Sequence, residues 1–170
     1  DLPSEASGIM PSAEWKREKL DSAWFDGDTI NASIGQGFFL ATPLQLAVMT
    51  ARIASRGRQI TPHVVDASNG ISIEHPVEQI AIDENHWDYL HESMRQVVEG
   101  ARGTARSIYS EHYSIAGKTG TAQVISIGAD EEYNRDELSI RQRDHALFVA
   151  FAPVERPRIA IGLIIENGEH

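Results

Sequence analysis

Gly117-Lys118-Thr119-Gly120-Thr121-Ala122-Gln123-Val124 is the stretch on which the reading of this chain turns. Lys118 is one of three lysines, and the other two, Lys16 and Lys19, lie close together near the start. The β-branched residues and the alternation around Lys118 read as the start of a strand. A cation between two residues without side chains is accessible, and a ligand can approach the backbone closely there. Thr119 and Thr121 are two apart, so on a strand both hydroxyls face the same side. The result is one edge with two hydroxyls and backbone N–H groups beside a lysine. Such an edge suits a carboxylate and a developing oxyanion.

Two chemistries compete for Gly-Lys-Thr. A phosphate-binding P-loop needs a glycine five positions before Gly117 and a helix after the lysine. His112 stands at that position and a strand follows, so the P-loop fails. The second is the Lys-Thr-Gly element of serine enzymes that recognise penicillin. The bland alternative is a surface lysine in a glycine turn, and the rest of the chain decides among them.

A length of 170 residues, 41% hydrophobic and 24% charged, fits one folded domain with a real core. The net charge of −10, with no basic run, argues against nucleic acid or an anionic membrane surface as partner. The absence of cysteine excludes disulfides, thiolate metal sites and a Cys nucleophile. The apolar runs 146–154 and 159–165 are too short to span a bilayer. The chain shows no signal peptide and no initial Met, which is expected of an excised piece whose anchor lies outside it.

Taken in order, residues 1–41 read as an irregular segment with one short helix from Ser12 to about Leu20. Trp15, Trp24 and Phe25 are expected to pin it to a core. Thr42-Pro43 is a helix start, and the apolar residues after it predict a buried helix over 42–57, stopped by Gly57. Strands are expected at 60–65 and 71–73 around the turn signal Asn69-Gly70. Asp83 caps a helix over 83–99 with Trp87, Leu90, Met94, Val97 and Val98 at helical spacing, ending at Gly100. Thr104 is a candidate cap for a short helix to about Tyr109. The Lys118 strand and strands at 145–151 and 158–165 predict a three-stranded antiparallel meander over 116–165. The polar stretch 126–143 is expected to be a solvated, mobile excursion. The class is therefore α+β, an antiparallel sheet packed with helices.

Seven histidines raise a metal hypothesis, but none stands at two-, three- or four-residue spacing from another. His86 and His91 fall on different helix faces. No metal site is expected, nor any cofactor.

Several short motifs recur in one order: Gly27-Asp28-Thr29, Ile34-Gly35-Gln36-Gly37, Ala41-Thr42-Pro43-Leu44-Gln45, Gly103-Thr104-Ala105 and the Lys118 stretch. Together they resemble class B penicillin-binding proteins. Ser7-Gly8-Ile9-Met10-Pro11, Glu14-Trp15-Lys16, Phe151-Ala152-Pro153 and Glu166-Asn167-Gly168 are similar to the branch that acts in cell elongation. The resemblance implies the C-terminal part of a penicillin-binding transpeptidase domain, a serine β-lactamase-like fold. It implies a D,D-transpeptidase that cross-links peptidoglycan stem peptides through a serine acyl-enzyme and is acylated by β-lactam antibiotics. Implied partners are D-Ala-D-Ala stem peptides, the remainder of the transpeptidase domain and a membrane glycosyltransferase of the elongation machinery. The implied location is the periplasmic face of the bacterial inner membrane, with an N-terminal anchor outside this chain.

Of the family's three elements, only Lys-Thr-Gly occurs here; no Ser-x-x-Lys or Ser-x-Asn is present. The resemblance therefore puts nucleophile and base upstream of Asp1, and the 170-residue piece is expected to be inactive and unlabelled by fluorescent penicillin. By position, Lys118 resembles the lysine that supplies positive potential beside the Ser-x-Asn serine. Thr119 and Thr121 resemble the hydroxyls that hold the terminal carboxylate of D-Ala-D-Ala or a β-lactam. The Thr121 N–H resembles one oxyanion donor, and Gly120 resembles the residue that lets the ligand backbone lie along the strand. The rivals are a serine β-lactamase or D,D-carboxypeptidase, which the Gly35-Gln36-Gly37 lead-in argues against, and a non-catalytic sensor module.

Overall fold

The computed structural model describes residues 2–124 and 139–168. It falls into two compact units, residues 5–42 on one hand and residues 1–4 with 43–170 on the other. Among the described residues, four α-helices and three small antiparallel sheets make an α+β arrangement.

The unit over 5–42 holds α1 (Ala13–Leu20) and α2 (Asp26–Ser33). Ser12 caps α1 by accepting the Trp15 N–H at 3.1 Å. The second helix went unread in the sequence, since Gly27, Thr29, Asn31 and Ser33 are weak helix formers. Tertiary partners supply what propensity lacks. Asp28 Oδ2 accepts the Phe25 N–H at 2.8 Å, closing the first turn, and takes the Lys16 ammonium of α1 at 2.6 Å. Trp24 Nε1 donates to Thr29 Oγ1 at 2.8 Å. Lys16 is buried by this arrangement, and the Trp15 ring meets Phe38 at 5.4 Å. Phe25 is 62% exposed, against the expectation that it pins the segment to a core. Backbone pairing of Ile9 with Leu40 ties the two ends of the unit together.

In the larger unit, α3 (Pro43–Ala54) begins at the Thr-Pro signal, and Ser55 and Arg56 carry the chain to Gly57. It is not a buried helix: only Thr50 and Ala54 are buried, and Met49 is 44% exposed. The reason is uneven packing: α3 lies mainly on the strands at 145–152 and 159–165, with lighter contact to the helix at 84–99 and the strand at 58–59, which leaves most of its residues half-buried and Pro43 and Met49 exposed. The expected strand at 60–65 does not form either. Pro62 has no N–H for a ladder, and pairing moves outward to β1 (Arg58–Gln59) with β4 (Glu78–Gln79). Between them β2 (Ala67–Ser68) and β3 (Ile71–Ser72) make the hairpin whose turn residues Asn69 and Gly70 both take positive φ.

Helix α4 (Glu84–Glu99) starts where Asp83 accepts the Asn85 N–H at 2.9 Å. It buries Trp87, His91, Met94 and Val98. Leu90, expected inside, is 37% exposed, and His91 takes the inner position instead. His91 Nε2 lies 2.8 Å from the Ile53 carbonyl, and its ring meets Phe151 at 4.9 Å. A 3₁₀ turn (Arg106–Ile108) replaces the expected short helix; its cap is Ala105, because the Thr104 hydroxyl is engaged elsewhere.

The main sheet has the order β5 (Ala116–Ala122), β6 (His145–Ala152), β7 (Ile159–Ile165), all antiparallel. Lys118 pairs with Val149, and Val149 with Gly162. Alternation puts Ala116, Lys118, Phe151, Val149, Ala160 and Gly162 on one face, which carries α3 and α4. The core is Ala54, Met94, Ala116 and Phe151, with Ile53, Val149, Val154 and Ala160 against it. Residues 126–138 of the stretch read as a mobile excursion lie outside the described residues; within the remainder, Ile140–Gln142 form a 3₁₀ turn.

Candidate active site

Strand β5 is anchored by its first two residues, since Ala116 is fully buried and Gly117 is buried beside it. A Cβ at Gly117 would lie 2.7 Å from the Phe148 ring. That glycine therefore lets β5 pack under Phe148; it does not open access to Lys118, as the sequence suggested. Gly120 has a milder constraint, with Leu147 Cβ at 3.3 Å from the corresponding position. Strand β6 covers one edge of β5, and no described strand covers the other. A ligand with extended backbone can add to such an edge.

Lys118 is the third residue of β5 and is exposed. It stands on the helix-bearing face, at a concavity made with Ser93, Gln96 and Val97 of α4 and the 100–104 loop. Its Nζ donates to the Thr119 carbonyl at 2.6 Å. Among the described residues no carboxylate lies within ion-pair distance of it. The C-terminal end of α4, whose dipole favours a cation, lies beside the concavity. Alternation puts the hydroxyls of Thr119 and Thr121 toward the opposite face. Lysine and hydroxyls thus do not converge on one side of the sheet. They are linked through Thr104, which lines the concavity with Lys118 and touches the Thr119 hydroxyl.

Thr104 joins this group. Its Oγ1 lies 3.1 Å from Thr119 Oγ1, and that contact fixes the orientation of the Thr119 hydroxyl. The loop reaches this position because residue 103 is glycine: a Cβ there would stand 2.3 Å from the Val97 carbonyl oxygen. The Ala105 N–H donates to that same carbonyl at 3.0 Å, and Arg106 caps the end of α4 through the Glu99 carbonyl at 2.7 Å. In the sequence Thr104 reads as a helix cap; the signal that places it here is Gly103-Thr104-Ala105, one of the motifs that carry the family resemblance.

An antiparallel sheet bordered by an exposed Lys-Thr-Gly-Thr strand and backed by two helices agrees with the family to which the chain belongs, that of the penicillin-binding protein transpeptidase domain, whose model matches residues 1–170. It is similar to the peptidoglycan D,D-transpeptidase MrdA of Acinetobacter baumannii, with 47% identity over all of this chain and 26% of the relative. It is 38% identical to the MrdA of Escherichia coli K12, over 99% of this chain and 28% of that protein. Among solved structures, penicillin-binding protein 2 of Pseudomonas aeruginosa in complex with WCK 5153 superposes with a TM-score of 0.85 at 44% identity, covering 99% of this chain and 36% of that one. The Helicobacter pylori complex of penicillin-binding protein 2 with MreC gives 0.81 at 36% identity, covering 99% of this chain and 29% of that one. The chain spans about a quarter of the length of the curated relatives it matches.

Proposed function

We propose that this chain supplies the Lys-Thr-Gly side of the active site of a peptidoglycan D,D-transpeptidase. The observation that carries the proposal is the exposed Lys118 on strand β5, whose outer edge no described strand covers, beside the Thr104–Thr119 hydroxyl pair. The substrate is a stem peptide ending in D-Ala-D-Ala, laid antiparallel along the outer edge of β5 over Gly120. Thr119 and Thr121 hold its terminal carboxylate, and a β-lactam occupies the same place. A serine outside this chain attacks the penultimate carbonyl and expels the terminal D-Ala. The acyl-enzyme then passes to the amine of a neighbouring stem peptide. Lys118 lowers the cost of the developing oxyanion and assists proton movement between serines, and the Thr121 N–H is one oxyanion donor.

The working protein acts at the periplasmic face of the inner membrane, with an anchor elsewhere in the protein. No described helix is long and apolar enough to cross a membrane. Its partners are the rest of the transpeptidase domain and a membrane glycosyltransferase of the elongation machinery. The similarity to a protein solved with MreC supports that setting.

The test is the acylation rate of the intact protein by a fluorescent penicillin. Loss of one such charged group costs on the order of 10²–10⁴ in rate. Lys118→Ala is expected to slow acylation by that much with little change in melting temperature, because the side chain is exposed. Lys118→Arg is also expected to be impaired, since a planar fork does not replace a compact ammonium. Rates within a few-fold of wild type for both variants would return Lys118 to a surface turn residue.

A further inference from the structure

Far along the chain from Lys118, the hairpin between β1 and β4 brings together three side chains that the sequence keeps apart. His63, Asp66 and His75 each offer a donor atom, and the three atoms lie within 4.8 Å of one another. No spacing rule joins them in sequence. The β2–β3 turn does so by folding the chain back at Asn69-Gly70, so that the Ile73 N–H donates to the Asp66 carbonyl at 2.9 Å. Asp66 and His75 then flank the open end of the hairpin, and His63 lies over His75.

Two further observations point to a ligand. The Nε2 of His75 is closed off from solvent and has no hydrogen-bond partner. An imidazole nitrogen in that condition has lost water and gained nothing in return. The Nδ1–H of His63 donates to the Thr61 carbonyl at 3.1 Å. That bond fixes the tautomer and leaves Nε2 as a lone-pair donor, the usual way a protein prepares a histidine for a metal.

We propose that His63, Asp66 and His75 form a site for a borderline divalent transition metal of the zinc type, with two imidazoles, one carboxylate and water in the remaining position. The donor set is too nitrogen-rich for calcium or magnesium, which prefer oxygen. Binding requires a defined rearrangement. The rings of His63 and His75 are stacked at 3.4 Å with 11° between their planes. A metal lies near the plane of each imidazole it meets, so the two rings must fan apart about their side-chain torsions. A tetrahedral site with bonds near 2.1 Å sets its donors about 3.4 Å apart, so donor separations of up to 4.8 Å close by at most about 1.4 Å. His63 and Asp66 are exposed and free to make that movement. A bound ion would tie residues 63–66 to residue 75 across the hairpin and stabilise the loop region between α3 and α4.

Titration of the intact protein with zinc sulfate in a non-chelating buffer, followed by calorimetry, tests this. One saturable site per chain is expected. His63→Ala, His75→Ala and Asp66→Asn should each weaken it by at least about tenfold, whereas His86→Ala and His112→Ala should leave it unchanged. Asp66→Asn keeps the shape of the side chain, so its effect reads lost ligation even if a histidine variant disturbs the hairpin. Cobalt(II) chloride should give visible absorption bands that His75→Ala abolishes, and zinc should raise the melting temperature of wild type but not of His63→Ala. Absence of a one-to-one isotherm below millimolar zinc, or equal weakening by His86→Ala and His75→Ala, overturns the proposal.

Discussion

The two faces of the β5–β6–β7 sheet are built from the same three strands and differ sharply in their surroundings. On one face Ala116, Ala150's neighbour Phe151 and the Val149–Gly162 pair lie under α3 and α4, with Ala116 at 0% and Phe151 at 1% exposure. On the other face Ile159, Ile161, Leu163 and Ile165 are 66%, 42%, 48% and 54% exposed. Yet β7 reads Ile-Ala-Ile-Gly-Leu-Ile-Ile, apolar on both faces. A strand with one wet face normally alternates apolar with polar residues, and a continuous apolar run marks a strand buried on both sides. The small residues, Ala160 and Gly162, point to the helices, and the large ones point away. Side-chain size, not polarity, is what distinguishes the faces here. Small residues let α3 approach closely, and the larger ones form a surface of the kind that other protein normally covers.

The largest expected effect comes from emptying the covered face. Phe151→Ala should destabilise the protein by about 3–5 kcal/mol, read as a shift in the urea midpoint; a loss under a third of that would mean Phe151 is not the centre of the core. Next comes Gly162→Ala. Its new Cβ would stand 2.6 Å from the Pro43 carbonyl oxygen and 2.8 Å from the Ala47 nitrogen, both backbone atoms that cannot swing aside. Overpacking of this kind costs about 1–3 kcal/mol, and an unchanged melting temperature would show that α3 is not held against β7.

A smaller effect tests the open face. Leu163→Ser in the 170-residue chain should change stability by no more than about 0.5 kcal/mol, as surface substitutions do. A much larger loss for the same substitution in a longer form of the protein would show that this face is covered there. The smallest effect lies at the β6–β7 turn. The Ser114 hydroxyl, and then the backbone N–H of Glu155 itself, donate to the Glu155 carboxylate and hold its pKa below the ordinary 4.5. A carboxyl depressed on folding adds stability above its unfolded value and loses it as pH falls through the folded one. Wild type should therefore be slightly more stable than Glu155→Gln at pH 7, and melting curves of the two should converge as the pH is lowered toward 3. Curves that stay parallel throughout would mean the Ser114 contact carries no charge-dependent stability.

The sequence by itself determined the elements whose signals are local. Ser12, Thr42-Pro43 and Asp83 announce helix starts, because a cap needs only a side chain and the N–H groups of the next turn. Asn69-Gly70 announces its turn, because positive φ is cheap for those two residues. Lys118 and the threonines of β5 are legible as a candidate site because strand periodicity and residue chemistry coincide within a few positions. Only the tertiary structure decided what depends on distant partners. Helix α2 forms because Lys16 and Trp24 meet its Asp28 and Thr29, and no propensity within the segment predicts that. Thr104 joins the candidate site because Gly103 lets a loop lie on the end of α4. The reason for Gly117 is the Phe148 ring on a neighbouring strand, and His63, Asp66 and His75 become one cluster only when the hairpin closes. Local rules read one turn of chain at a time, whereas a contact between residues far apart in sequence exists only after the chain between them has chosen its path.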